Sequence, residues 1–181
     1  MASNAAATDD SAGHWLERAL REHERPLTLY AKRILGDLDR ARDVVQETFL
    51  KLCNQRREDV ETRLREWLFT VCRNQAYDVR RKEHRMTSLG DEQLALRTSD
   101  GERPGDALEQ RDSVSHVLAS LASLPHKQAE VLRLKFQHGL SYRSISEVSG
   151  ESIGNVGWLI HVGLKALRVK LGAEAARGAE A

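Results

Sequence analysis

The stretch LPHKQAEVLRLKFQHGLSYRSISEVSGESIGNVGWLIHVGLKALRVKL, residues 124–171, decides the fold of the second half of the chain. Its apolar spacing predicts a helix over about 124–138, a short second helix over 142–149 and a longer third helix that begins after Ser152. Capping and turn preferences mark the helix ends at Ser141, Gly150 and Ser152. Two helices joined by a short turn that contains glycine are typical of a helix-turn-helix.

The third helix has an apolar stripe and an outward face. The stripe is predicted to pack on the first two helices and consists of Ile153, Val156, Ile160, Leu164, Leu167 and Leu171. The outward residues are Asn155, Trp158, His161 and Lys165. In a helix-turn-helix, the outward N-terminal half of this helix enters the major groove of DNA. The alternative is a plain three-helix bundle whose outward residues are only solvated.

The composition limits the class of protein without identifying it. The 181 residues allow one or two small domains. The sequence has 28 basic and 27 acidic residues, so its net charge gives no evidence for nucleic-acid binding. Such evidence has to come from local clusters of basic residues. We find no apolar run that predicts a secretory signal or a membrane span, so we expect a cytoplasmic protein with no membrane partner. Cys53 and Cys72 lie in helical patterns and are expected to be buried, reduced thiols.

The first half of the chain also has helical periodicity nearly throughout. Residues 1–12 are polar and predict a disordered leader. Pro26 is expected to end or kink the first helix, and a second helix is expected to begin at Asp39. The polar segment 56–62 predicts a loop before a long helix over about 63–84. The residues predicted to face inward on this long helix are Leu64, Trp67, Leu68, Val71, Cys72, Gln75 and Val79.

The C-terminal part of that long helix is strongly basic. Within 73–85, Asp78 and Glu83 are the acids, and the bases are Arg73, Arg80, Arg81, Lys82 and Arg85. Complementing the helix dipole needs fewer charges than this and contributes only about 0.3–1 kcal/mol per charge. The pattern therefore favours contact with phosphates over a purely structural role.

Between the two helical regions the composition changes. Residues 86–111 are rich in glycine and acids and predict a flexible linker. We therefore expect an all-α chain of two helical domains, 13–85 and 112–171, with a frayed tail over 172–181. The sequence contains no HExxH, GxSxG or GxxxxGK[ST] pattern, so we expect no catalytic residue, metal ligand or cofactor, and no enzyme activity.

Three stretches resemble the extracytoplasmic-function sigma factors of bacterial RNA polymerase. LGDLDRARDVVQETFLKL (35–52) is similar to the core helix of sigma region 2, and REWLFTVCRNQAYDVRRK (65–82) is similar to the helix that melts and reads the minus-ten element. LASLPHKQAEVLRLKFQHGLSYRSISEVSG (121–150) resembles region 4, which reads the minus-thirty-five element. The resemblance covers roughly 15–85 and 113–171.

The resemblance implies a protein that delivers core RNA polymerase to promoter DNA. It implies polymerase contacts by Asp39, Asp43, Gln46, Glu47, Phe49 and Leu50, although Phe49 and Leu50 fit the core equally well. It implies capture of an unstacked base by the segment 56–62 and passage of the linker along the RNA path of polymerase. The residues expected to bind DNA are Arg56, Arg57, Arg73, Asn74, Tyr77, Arg80, Arg81, Arg143, Asn155, Trp158, His161 and Lys165.

Two departures from the family pattern stand out. Arg40 and Arg42 occupy positions that are usually acidic, and like charges would weaken docking on a basic polymerase surface. The third helix lacks the family's usual bases at Gly157, Leu159, Val162 and Leu164, which leaves Arg143, Lys165, Arg168 and Lys170 as anchors. With Trp158 and Leu159 outward, this face could instead meet a protein.

The first departure suggests one form of regulation. A phosphate on Thr48 or Thr62 would add about −1.5 to −2 charges near the docking site. The regulator is then either a Ser/Thr kinase or an anti-sigma factor. Two other functions remain open at this stage: a stand-alone helix-turn-helix regulator that binds duplex DNA without polymerase, and a family member that has turned to protein interaction.

Overall fold

The computed structural model describes residues 3–88 and 117–178, with side chains over 13–85 and 117–172. Within these ranges all regular structure is helical and there is no strand, which confirms the predicted all-α class. The chain divides into two compact units, Met1–Asp100 and Gly101–Ala181. Most of the predicted linker over 86–111, and the predicted start of the second domain at residue 112, lie outside the described residues. None of the described helices is long and apolar enough to cross a bilayer.

The first unit is built from four α-helices and one turn of 3-10 helix. They are α1 (Ser3–Leu35), α2 (Leu38–Cys53), α3 (Arg57–Val60), the 3-10 turn Glu61–Arg63, and α4 (Leu64–Ser88). The long helices α1, α2 and α4 pack on one another, and α3 with the 3-10 turn connects α2 to α4. This arrangement leaves one side of α2 and the C-terminal half of α4 at the surface.

Three local predictions for this unit differ from the structure. Pro26 lies inside α1, so it does not end the first helix. The same helix begins at Ser3, within the segment predicted to be a disordered leader. Within the segment 56–62, residues 57–62 are helical rather than a loop and Arg56 is the extended N-cap; Val60 is buried against the core and anchors α3.

The core of the first unit lies between α1, α2 and α4. Phe69 is fully buried and meets Tyr30 edge to face, with ring centroids 5.3 Å apart and an interplanar angle of 68°. The predicted inward set on α4 did not include Phe69. It was missed because α4 packs against two helices, so its buried face is wider than one stripe. Trp67, which was predicted as core, is half-buried.

The two cysteines differ in their surroundings. Cys72 is buried as predicted, and burial raises the pKa of its thiol to about 12. Cys53 is exposed at the end of α2, so its predicted burial is wrong. Its position one residue before the helix C-cap explains the error, because the apolar stripe of α2 has already ended at Leu52.

The second unit contains α5, whose described part covers 117–122, and then α6 (His126–Phe136), α7 (Tyr142–Ser149) and α8 (Ile153–Gly178). The predicted helix-turn-helix is confirmed in detail. The Ser141 hydroxyl accepts a hydrogen bond from the Ser144 amide at 3.0 Å, and the Ser152 hydroxyl accepts one from the Asn155 amide at 3.2 Å. Gly150 ends α7 with a φ of 75°, a conformation that favours glycine. Because α8 continues to Gly178, the predicted frayed tail is helical over most of its length.

The buried face of α8 is rotated relative to the predicted stripe. Val156, Ile160 and Leu167 are buried as expected, but Ile153 and Leu164 are exposed. Leu159, which was predicted to face outward, is only 5% exposed. The remaining buried position is Gly163, where an added Cβ would lie 2.8 Å from Leu132 Cδ1 of α6. The close approach of α6 at this glycine sets the rotation of α8.

Candidate polymerase and nucleic-acid interfaces

One side of α2 forms an exposed, mostly polar face. The residues predicted to contact polymerase that are exposed on it are Asp39, Asp43, Gln46, Glu47 and Leu50. Asp39, Asp43, Gln46 and Leu50 follow one another at steps of four, three and four, and Glu47 lies four residues after Asp43, so the five share one side of the helix. Leu50 is 50% exposed, whereas Phe49 is half-buried beside the core. The face therefore offers carboxylates around one accessible leucine.

The two unexpected arginines of α2 are paired with acids of the same unit. Arg40 Nη1 lies 2.7 Å from Glu83 Oε1 of α4, and Arg42 Nη1 lies 3.1 Å from Asp39 Oδ1. Both pairs are exposed to solvent, and such pairs contribute only about 0–1 kcal/mol each. Their main effect is local neutralisation, which reduces the repulsion that the two arginines would otherwise create toward a basic partner.

Thr48 cannot serve as the phosphorylation site considered above. Its side chain is completely buried, its hydroxyl donates to the Val44 carbonyl at 2.8 Å, and it lies 2.7 Å from Gln75 Oε1. A kinase could reach this hydroxyl only if α2 and α4 separated. Thr62 lies in the 3-10 turn and is exposed, so it is the accessible member of the pair.

The basic half of α4 brings an aromatic ring and several cations together. Tyr77 has two guanidinium groups near its ring, with Arg73 Cζ at 4.7 Å and Arg80 Cζ at 4.8 Å from the ring centroid. Arg81 pairs with Asp78 one turn earlier. These side chains, together with Asn74, are the residues predicted to meet the minus-ten strand.

Most of these side chains of α4 line one shallow depression. Its lining residues are Arg73, Asn74, Tyr77, Asp78 and Arg81. An aromatic ring can stack on a base, and such stacking contributes about 1–3 kcal/mol per base. Guanidinium groups can contact phosphates at the same time. We name this set the Tyr77 cluster: Arg73, Asn74, Tyr77, Asp78, Arg80 and Arg81.

Arg56 and Arg57 lie in different environments although they are adjacent. The Arg56 side chain is solvent-exposed, and its Nε lies 3.6 Å from Glu58 Oε2. Arg57 donates to Glu61 Oε1 at 2.6 Å and lies 5.9 Å from the centre of the Trp15 ring. The bond to Arg57 lowers the pKa of the Glu61 carboxyl. Arg56 is therefore accessible to DNA, whereas Arg57 ties α3 to the 3-10 turn and to α1.

On the second unit, some side chains predicted to contact DNA are exposed to solvent, and others are bonded to acids of the same unit. Trp158 is 58% exposed, and His161 and Lys165 are also exposed. Asn155 is half-buried, and its Nδ2 donates to Glu151 Oε2 at 2.5 Å. Arg143 is exposed on the first turn of α7, with its Nε 3.6 Å from Glu147 Oε1.

Two lysines of α6 lie near the start of α8 and were not predicted. Lys127 Nζ lies 2.6 Å from Glu151 Oε1. Lys135 Nζ lies 5.3 Å from the centre of the Tyr142 ring, and Tyr142 Cε2 is 3.6 Å from the Cβ position of Gly157. The helical pattern of α6 could not show these contacts, because they depend on how closely α6 crosses the helix-turn-helix.

Family models match both units. The Sigma-70 region 2 model matches residues 19–86, and the Sigma-70 region 4 model matches residues 117–167. The first match contains α2, α3 and the Tyr77 cluster, and the second contains the helix-turn-helix.

Two curated relatives extend these matches along the chain. The ECF RNA polymerase sigma factor SigL of Mycobacterium tuberculosis is 32% identical over 172 residues, which cover 93% of this chain and 94% of that protein. The ECF RNA polymerase sigma factor SigW of Bacillus subtilis is 30% identical over 148 residues, covering 77% of this chain and 79% of that protein.

A solved structure has the same fold. It is the sigma factor RpoE of Bartonella quintana, crystallised in complex with the anti-sigma factor NepR. It aligns with a TM-score of 0.67 at 24% identity, and the match covers 86% of this chain and 96% of that one.

Proposed function

This chain belongs to the extracytoplasmic-function sigma factors of RNA polymerase, and on that premise we propose that α2 binds core polymerase while α4 and α8 bind promoter DNA. As a sigma factor it directs promoter-specific initiation of transcription. Proteins of this family are not enzymes in general. We infer that this chain does no chemistry itself and that polymerase carries out the reaction.

The proposed polymerase contact is the exposed side of α2. Asp43, Glu47 and the accessible Leu50 are the central members, since Phe49 is half-buried beside the core. Carboxylates around an apolar residue suit a basic partner surface that also offers an apolar pocket. The pairing of Arg40 with Glu83 keeps this face from being repelled in spite of the departure from the family pattern.

The Tyr77 cluster is the observation that carries the proposed contact with the minus-ten strand. Extruding a base from the duplex costs a few kcal/mol. Stacking one base on Tyr77 returns about 1–3 kcal/mol, and guanidinium–phosphate contacts add an electrostatic contribution that depends on salt. Arg56, on the neighbouring segment, provides a further accessible cation for the same strand.

The helix-turn-helix is proposed to bind the duplex upstream of the melted region. Arg143 at the start of α7 and Lys165 on α8 are exposed and suit phosphate contacts. We propose that Trp158 and His161 face the base edges. Asn155 is held by Glu151, so we assign it a positioning role at the start of α8 rather than direct contact with a base.

Two classes of regulator suit this chain, an anti-sigma factor and a Ser/Thr kinase. The RpoE structure of Bartonella quintana contains an anti-sigma factor, which supports the same class of partner here. Kinase control would have to act at Thr62, since Thr48 is buried. We place the protein in the cytoplasm, with a linker over 86–111 that follows the RNA path of polymerase.

A stand-alone helix-turn-helix regulator would need neither the polymerase-binding face of α2 nor the Tyr77 cluster. Core-polymerase binding followed by run-off transcription on a genomic fragment library separates the two functions. We expect the chain to bind core enzyme and to yield discrete transcripts. Arg80→Ala with Arg81→Ala should abolish promoter opening but leave polymerase binding intact.

A matched control removes the same charge elsewhere in the first unit. Arg21→Ala with Arg25→Ala changes two exposed arginines of α1 and should leave opening intact. Equal loss of opening in both double variants would argue against a specific role for the Tyr77 cluster. Failure to bind core polymerase would argue for the stand-alone regulator.

A further inference from the structure

The part of α8 proposed to face DNA has no acidic residue, lysine or arginine. Residues 152–164 contain no Asp, Glu, Lys or Arg. Three large apolar side chains in this segment are exposed to solvent, Ile153 at 52%, Trp158 at 58% and Leu164 at 38%. Trp158 lies in the second turn, at the level from which a helix-turn-helix contacts base edges. A tryptophan exposed at this position is accessible to a partner surface.

Hydrogen-bond readout from this segment is limited. Guanine is commonly read by Arg or Lys and adenine by Asn or Gln. The Asn155 side chain donates from Nδ2 to Glu151 Oε2 at 2.5 Å, and the Ser152 hydroxyl accepts a hydrogen bond from the backbone N–H of Asn155. Apart from His161, the exposed side chains of α8 in this segment can distinguish bases only by apolar contact, and the thymine C5-methyl is the apolar group that the major groove displays.

Lys135 and the exposed Lys165 favour DNA over an apolar protein surface as the partner of this face. Lys127 reaches Glu151 at the start of α8. Lys135 lies over the Tyr142 ring, which in turn borders Gly157, the residue before Trp158. Because Glu151 neutralises Lys127, Lys135 is the α6 cation that contributes positive charge beside this strip of α8. Phosphates beside a groove are complementary to such groups.

We propose that Trp158 is a specificity-determining residue that reads thymine methyl groups in the upstream promoter duplex. This inference rests on the proposed function. Deoxyuridine presents the same hydrogen-bonding groups as thymidine and lacks only the methyl. Burying one methyl against the indole ring corresponds to about a fourfold change in affinity.

The experiment uses the full chain with core polymerase and a promoter recovered by run-off transcription. Each thymidine of the upstream element is replaced in turn by deoxyuridine, and holoenzyme affinity is measured by fluorescence anisotropy. We expect at least one replacement to weaken binding about fourfold for the unaltered chain. For Trp158→Ala the same replacement should change affinity less than about 1.5-fold, whereas Trp158→Phe should retain most of the effect.

Val169→Ala is the matched control, because Val169 is 67% exposed on the same helix, about 16 Å farther along its axis. This variant should respond to deoxyuridine as the unaltered chain does. The proposal is overturned if no replacement weakens binding, or if the loss is the same in Trp158→Ala. If no replacement weakens binding and Trp158→Ala is weakly active at every promoter, the exposed face of α8 around Trp158 is assigned to a protein partner. A holoenzyme inactive on unmodified DNA would refute the proposed function instead.

Discussion

Alanine at two glycines of α8 should affect the stability of the second unit differently. At Gly154 an added Cβ meets nothing within 4 Å, so Gly154→Ala should stabilise by about 0.8–1 kcal/mol through helix propensity. At Gly163 the Cβ would lie 2.8 Å from Leu132 Cδ1 and 3.5 Å from Gln128 Cβ. Leu132 is 1% exposed, so its neighbours restrict its movement. Overpacking costs about 1–3 kcal/mol, which should leave Gly163→Ala less stable than Gly154→Ala by about that amount.

Thermal unfolding of the full chain, followed by scanning calorimetry, measures this difference. For a domain of 60–100 residues, about 1 kcal/mol corresponds to a shift in Tm of roughly 4–8 °C. Gly172→Ala is the control, since its Cβ also meets nothing within 4 Å and should not destabilise the unit. If Gly163→Ala melts at or above Gly154→Ala, α6 does not approach α8 at Gly163, and our explanation for the rotation of α8 is refuted.

Four further predictions concern the first unit. Arg40→Ala and Glu83→Ala should each reduce stability slightly, and a double-mutant cycle should give a coupling of about 0.2–1 kcal/mol that decreases with salt; zero coupling at low salt would contradict a stabilising role for the pair. Tyr77→Ala should reduce promoter opening by about 5- to 150-fold, from the loss of about 1–3 kcal/mol of stacking, and Tyr77→Phe should be nearly normal; a normal rate of opening by the alanine variant in a potassium permanganate assay would contradict the role of the ring. Iodoacetamide should label Cys53 in the folded chain but not Cys72, and equal labelling measured by mass spectrometry would contradict the packing of α4. The pKa of the Cys72 thiol is raised from 9.0 to about 12, so the unfolded chain loses this proton at a lower pH than the folded chain. The stability contributed by the protonated thiol should therefore be complete below pH 9 and lost as pH rises to 12, as measured by urea unfolding.

The sequence predicted the elements whose signals are local. Ser141, Gly150 and Ser152 define the helix-turn-helix through capping and a left-handed turn, and the structure has all three. The arginines and the tyrosine of the Tyr77 cluster could be identified as neighbours from helical spacing alone, since they occupy one side of α4.

The features that the sequence missed depend on contacts between helices. Leu159 turned inward because α6 packs directly on Gly163. Thr48 is a polar residue on an apolar stripe, and only its bonds to Val44 and Gln75 show that its hydroxyl is satisfied in the core. The pairing of Arg40 with another helix was hidden for the same reason.

Promoter affinity measured with and without core polymerase tests the central claim most directly. The claim is that one chain holds polymerase through α2 and promoter DNA through α4 and α8. We predict that a promoter duplex binds the chain with core polymerase far more tightly than either component alone, and that a discrete transcript forms only when both are present. Tight binding of the duplex by the chain alone, unchanged by core polymerase and without a discrete transcript, would contradict the account.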